Sequence, residues 1–139
     1  MNFSQARTAL QQYENVGVDA TAGAATPHQL IQMLLDGALD RIAAAKGMMG
    51  RGDFAGKGVA LGRALGIVTG LRKSLNHDGG GDVAGNLELV YDYVERRLLE
   101  ANRNNDVAIL DEVARLLGNV KAGWDGIPPE VAAAFRRSE

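Results

Sequence analysis

Between Asn86 and Trp124 apolar residues recur at three- and four-residue steps, in two runs separated by the polar stretch Asn102 to Asp106. The first run places Leu87, Val90, Tyr91, Val94, Leu98 and Ala101 along one line, and the second does the same with Leu110, Val113, Leu117, Val120 and Trp124. That period predicts two amphipathic helices hinged at Asn102 to Asp106, each with a stripe that must be buried. Stripes so narrow and regular suit helices packed nearly antiparallel, as in an up-and-down bundle, better than a helix lying across a sheet.

Upstream, Thr26-Pro27 is a helix start: threonine caps, and proline takes the first position, where its missing N–H does no harm. A helix from Pro27 to about Met49 would bury Leu30, Ile31, Leu34, Leu35, Ala38, Ile42, Ala45 and Met49, then stop in the glycines of GRGD. Asp53 can cap a second helix with Phe54, Leu61, Leu65, Val68 and Leu75 as its core stripe and Ala64, Ile67 and Leu71 beside it. NHDGGGD is too rich in glycine to continue a helix and reads as a turn or exposed loop. The third helix then runs from about Asp82 to Asn102. Asn105 or Asp106 caps the fourth, which reaches about Trp124.

The expected fold is all-α, an antiparallel up-and-down four-helix bundle over residues 26–124. Residues 1–25 are expected to be a flexible N-terminal segment, with a short helical piece around Ala6 to Tyr13 before the small-residue run VGVDATAGAA. Residues 125–139 are expected to be a mobile C-terminal tail carrying a short helix after Pro129.

A chain of 139 residues supports one core and hence one domain. Its 46% apolar and 23% charged residues are a globular balance. The net charge is −2 with Lys and Arg scattered among Asp and Glu, so the basic stripe that a nucleic-acid backbone requires is missing and nucleic acid is not an expected partner. Cysteine is absent, which removes disulfides, thiolate nucleophiles and Cys-ligated zinc together. No apolar run approaches the roughly 18 residues of a membrane span, and MNFSQARTALQQ lacks the apolar centre of a signal peptide. The expected location is the cytoplasm, without membrane insertion.

Candidate chemistry is sparse. His28 and His77 are the two histidines and neither belongs to an H-x-x-x-H or E-x-x-H pair, so both are expected at the solvent-exposed surface and no metal or cofactor is expected. Gly79 to Asp82 resembles a phosphate loop only in its glycines, because no strand precedes it and no G-K-[ST] follows. Asp92, Glu95, Glu100, Asp111 and Glu112 interleave with Arg96, Arg97, Arg103 and Arg115, the pattern of solvated i,i+4 pairs rather than of acid–base carboxylates. The chain is therefore not expected to be an enzyme. Gly58, Gly62, Gly66 and Gly70 form a bare ridge on the second helix. It has two readings: close approach of another helix, or a codon bias that also enriches alanine and arginine.

Apolar surface remains beyond the core stripes. At 100° per residue Leu89, Tyr93 and Leu99 fall well away from the line through Leu87, Val94 and Leu98, and Leu39 falls away from the first helix's stripe. Either a second neighbouring helix covers them, or they form a groove for a partner's amphipathic helix. The N-terminal segment, with Phe3, Leu10 and Tyr13 at helical spacing, is a candidate to lie in such a groove. The partner-binding candidates are Leu10, Tyr13, Ile67, Leu71, Leu89, Tyr93 and Leu99.

Four segments carry a resemblance: Met33-Leu34-Leu35-Asp36-Gly37; Leu87 to Tyr93, read as Leu-x-x-x-Tyr-Asp-Tyr; Ala101-Asn102 before the hinge; and Lys121-Ala122-Gly123-Trp124. In order and spacing, from about Tyr13 to Trp124, the chain resembles the flagellin-specific export chaperones of bacterial flagella, the FliS family. It departs from the family's usual pattern in TAGAATP, where a Thr-Ala-Ser-Pro leader is common, and at Leu35, where a tyrosine is common. The resemblance implies a cytoplasmic chaperone that binds the disordered C-terminal segment of flagellin in apolar grooves, prevents premature polymerisation and delivers its client to the flagellar export gate. It also implies that an N-terminal tyrosine, matched by Tyr13, covers part of the flagellin site in the free chaperone. A client that folds on docking sets its ordering entropy against a large apolar surface, and no catalysis is required. The expected free state is a monomer or weak homodimer; the alternative is a structural, self-associating bundle without a client.

Overall fold

The computed structural model describes residues 25–132, with the side chains of Pro129 and Ala132 excepted. The expected helical piece at Ala6 to Tyr13, the Gly/Ala-rich run, the candidates Leu10 and Tyr13, and the tail beyond Ala132 lie outside those residues. Among the described residues five helices follow one another: α1 (Pro27–Gly50), α2 (Phe54–Lys73), α3 (His77–Asn104), α4 (Val107–Asp125) and the single turn α5 (Pro129–Ala132). The four long helices make the expected all-α bundle. α1 packs on α2 and α4, α3 packs on the same two, and α5 touches α1. The connections at residues 51–53, 74–76 and 105–106 are short enough to force each helix back along its predecessor.

Each start is set by a local hydrogen bond that offsets the orphan amides of a first turn. Thr26 Oγ1 accepts from the Gln29 amide at 3.1 Å and Gln29 Oε1 accepts from the Thr26 amide at 3.0 Å, a reciprocal capping box with Pro27 inside it. Asp53 caps α2 through the Gly56 amide, Asn76 caps α3 through that of Gly79, and Asp106 caps α4 through those of Ala108 and Ile109. Asn105 closes α3 in the left-handed region at φ 51°, a conformation asparagine tolerates better than most residues.

The stretch 77–80 departs from the sequence expectation. It is a helical turn rather than a loop, and the break falls at Gly81, whose φ of 57° and ψ of −134° interrupt α3. The Asn76 cap holds the first turn despite its glycines, while Gly81 supplies a backbone geometry that a Cβ would strain.

The core is one cluster fed by all four long helices. Leu34, Leu35 and Ile42 of α1 meet Ile67, Val68 and Leu71 of α2, Val94 and Leu98 of α3, and Leu110, Val113 and Leu117 of α4. Burying each such side chain contributes roughly 1.5–3 kcal/mol, the main force that drives the stripes together. Phe54 is a correction: placed in the core stripe by its spacing, it is 51% exposed, because it begins α2 at the very end of the bundle.

His28 is a second correction. It is buried, not exposed; its ring stacks on Trp124 with centroids 5.2 Å apart, and its Nε2 lies 2.9 Å from the Trp124 carbonyl oxygen. The Trp124 indole N–H donates in return to the His28 carbonyl oxygen at 3.1 Å. A carbonyl oxygen only accepts, so this geometry places a proton on Nε2. The start of α1 and the end of α4 are thereby stapled.

Lys57 is buried as well, and no acid neutralises it among the described residues. Its Nζ donates to the Asn102 carbonyl oxygen at 2.8 Å and to Asn105 Oδ1 at 2.6 Å, bracing the first turns of α2 against the α3–α4 hinge. At Gly58 an added Cβ would stand 3.9 Å from Asn102 Oδ1, and at Gly62 it would meet nothing within 4 Å. At Gly58 an α3 side chain comes to ordinary contact distance, and at Gly62 no described helix approaches.

Candidate interaction surface

The outward side of α3 carries two of the most exposed apolar residues that the core does not use. Leu89 is 68% exposed and Leu99 56%, and they lie about 80° apart around the helix, on the side away from Val94 and Leu98. Tyr93 sits between Leu89 and the groove toward α4, half-buried. Its hydroxyl donates to Glu112 Oε2 at 3.0 Å, and the guanidinium carbons of Arg96 and Arg97 each lie 5.9 Å from its ring centroid. That distance is within cation–π range, so two guanidinium groups help to orient the ring.

Electrostatics fix this surface from below. Arg97 Nε donates to Glu112 Oε1 at 2.9 Å and its Nη1 to Glu100 Oε2 at 2.8 Å. The hydrogen bond from Arg97, followed by that from Tyr93, holds the Glu112 carboxyl below its usual pKa, and the same contacts raise Arg97 and Tyr93 above theirs. On the opposite flank Arg72 Nε donates to Glu95 Oε1 at 2.6 Å and its Nη1 lies 3.7 Å from Glu88; His77 reaches the other Glu88 oxygen. Several of the charges read as i,i+4 pairs therefore bridge neighbouring helices instead. Asp92–Arg96 and Lys121–Asp125 keep the i,i+4 pattern.

The sequence-derived candidates separate into three groups. Leu89 and Leu99 are on the exterior, with Tyr93 at its edge. Ile67 and Leu71 lie in the core at 1% and 2% exposure, where a partner reaches them only by displacing what covers them. Leu10 and Tyr13 are outside the described residues. Sequence spacing did not single out Val59 on α2 or Val83 on α3, 57% and 49% exposed. Projecting α2 on a helical wheel places Val59 opposite Leu61 and Val68, which was the available signal.

A cavity of about 530 Å³ opens between the start of α1 and the end of α4, with Gln29, Gln32, Met33, Asp36, Lys121 and Asp125 in its wall. Gln32, Asp36, Lys121 and Asp125 are engaged with one another there. Gln32 Nε2 donates to Asp125 Oδ1 at 2.8 Å, and Lys121 Nζ lies 2.7 Å from Asp125 and 3.6 Å from Asp36. The Lys121 bond, then that of Gln32, lowers the Asp125 pKa, and Asp125 in turn raises that of Lys121. Among the described residues no group of three His, Cys, Asp or Glu side chains is placed to hold a metal ion, and no helix is long and apolar enough to cross a membrane.

The fold is a four-helix bundle with Glu95, Glu112 and Asp125 tied into ion pairs and with apolar side chains left on its exterior. Comparison with known proteins sharpens that class. The model of the family described as Flagellar protein FliS matches residues 9–131, and the chain belongs to that family. It is similar to the flagellar secretion chaperone FliSB of Pseudomonas aeruginosa, 48% identical over 122 residues that cover 88% of this chain and 97% of that protein. It is also similar to the flagellar secretion chaperones FliS of Vibrio cholerae, 42% identical over 89% of this chain and 91% of that one, and of Salmonella typhimurium, 41% identical over 93% and 95%.

Proposed function

We propose that this chain is a cytoplasmic flagellar secretion chaperone that binds the disordered C-terminal segment of flagellin, keeps it from polymerising early and passes it to the flagellar export gate. The observation that carries this reading is the exposure of Leu89 and Leu99 on the helix that also carries the oriented ring of Tyr93. Single exposed leucines are common on protein surfaces. Two on the outward side of one helix, in a chain whose relatives are named secretion chaperones, favour a docking surface for an amphipathic helix. The client's apolar face would remove both leucines from water, while Arg96 and Asp92 on the same side supply a polar rim. Membership of a chaperone family is also the support for reading the chain as a non-enzyme.

The test is a calorimetric titration of a flagellin C-terminal segment, from the same genome, into the protein, followed by circular dichroism of the mixture. A one-to-one complex with helical signal above the sum of the parts is expected. Absence of heat, complex and helical gain would reject the client reading. A concentration-dependent dimer without client affinity would favour a self-associating bundle.

A further inference from the structure

Tyr91 is the buried polar residue that the bundle leaves without explanation. It is 3% exposed, burial is the influence that raises its pKa, and its hydroxyl makes no hydrogen bond among the described residues. Buried hydroxyls almost always have a partner, because one lost from water and left unmatched forfeits its full hydration. The neighbourhood supplies the means. A recess of about 10 Å³ lies where the four long helices converge, with apolar walls from Ile31, Leu71, Leu87 and Trp124 and with Ser74 and Tyr91 as its hydroxyl-bearing residues.

Ser74 Oγ donates its proton to the Leu71 carbonyl oxygen at 2.7 Å, which leaves the oxygen's lone pairs able to accept. Ser74 and Tyr91 both line this one small recess, two hydroxyl-bearing residues are the minimum that holds a buried water, and the volume is close to the least that admits one. The same volume excludes a client side chain, since even a methyl group needs more room than a single water.

We propose that this recess is a hydration site, in which one water accepts from the Tyr91 hydroxyl and donates to Ser74 Oγ. The water links the shaft of α3 to the α2–α3 connection, so it completes the polar accounting of this end of the bundle. It stands whether or not the client reading does.

A crystal structure of the full chain near 1.5 Å resolution, with thermal unfolding of Tyr91→Phe, tests it. Expected are an ordered density peak within about 3.2 Å of both Tyr91 Oη and Ser74 Oγ, and a Tyr91→Phe melting temperature lower by about 2–6 °C. Ser74→Ala combined with Tyr91→Phe should lower it by less than the sum of the single variants, because both anchor the same water. Absence of the density peak in the parent protein, or a Tyr91→Phe variant at least as stable as the parent, would overturn the proposal. The crystallographic arm does not depend on any variant folding.

Discussion

Replacing Lys57 by methionine removes the ammonium while keeping an unbranched apolar stem of similar length, so it isolates the two hydrogen bonds that brace α2 against the hinge. Hydrogen bonds to a charged partner contribute about 1.5–3 kcal/mol each. The amide of Asn105 is exposed and recovers water when its bond is lost, whereas the Asn102 backbone is half-buried and recovers it incompletely. The contact between Nζ and the Phe54 ring, at 5.8 Å, is exposed on the ring side and adds little. The net loss for Lys57→Met is therefore about 2–3 kcal/mol, with the gain of no longer desolvating an ammonium as the opposing effect. For a domain of this size that is a fall in melting temperature of about 8–12 °C. Urea unfolding followed by circular dichroism should show a lower midpoint with an unchanged slope. Asn105→Gly retains the left-handed hinge and removes only the amide acceptor; combined with Lys57→Met in a double-mutant cycle it should give a coupling of about 1 kcal/mol. A Lys57→Met protein melting within about 2 °C of the parent would refute the reasoning, because ammonium desolvation would then cancel the bonds.

The remaining expectations concern the surface, the staple, the glycine at the α3 break and acid. Leu89→Ser and Leu99→Ser should each weaken flagellin-segment binding by about tenfold in calorimetry, with stability changed by no more than about 0.5 kcal/mol; unchanged affinity in both would move the docking surface elsewhere. Trp124→Ala should cost about 3–5 kcal/mol in urea unfolding, through lost burial and the lost indole bond to the His28 carbonyl oxygen. Gly81→Ala should destabilise by about 1–2 kcal/mol because an L residue is strained at φ 57°, and a neutral result would show that the α3 break can shift. The depressed folded-state pKa values of Glu112 and Asp125 stabilise the fold fully above the unfolded carboxylate range near pH 4, and that contribution disappears as pH falls through the lower folded values. Melting temperatures should drop below about pH 4, and Glu112→Gln should make that drop shallower.

The helix positions were legible because they are written locally. Thr26-Pro27, Asp53 and Asp106 each act within three residues, and the stripe from Leu110 to Trp124 states its own period. The surplus apolar face was legible for the same reason, since Leu89 and Leu99 miss the stripe on their own helix. What depended on distant residues was not. His28 looks like a surface histidine until Trp124, 96 positions away, closes over it. Lys57 looks like a solvated charge until the α3–α4 hinge arrives with a carbonyl oxygen. At His77 to Gly80 composition argued for a loop, but a cap at Asn76 and a single permissive glycine at 81 let tertiary contacts with Glu88 keep one turn wound.

The Trp124–His28 contact also fixes the polarity of the whole molecule. Because α1 and α4 are clasped together there, Pro27 and Asp125 share one pole, while Arg51 to Asp53 and Asn105 occupy the opposite one. A fluorophore or purification handle grafted at Gly52 would stand a full rod's length from that clasp. The same proximity suits the chain to circular permutation: a short linker could join Asp125 to Pro27, and new ends could be cut at the far pole without severing any rod.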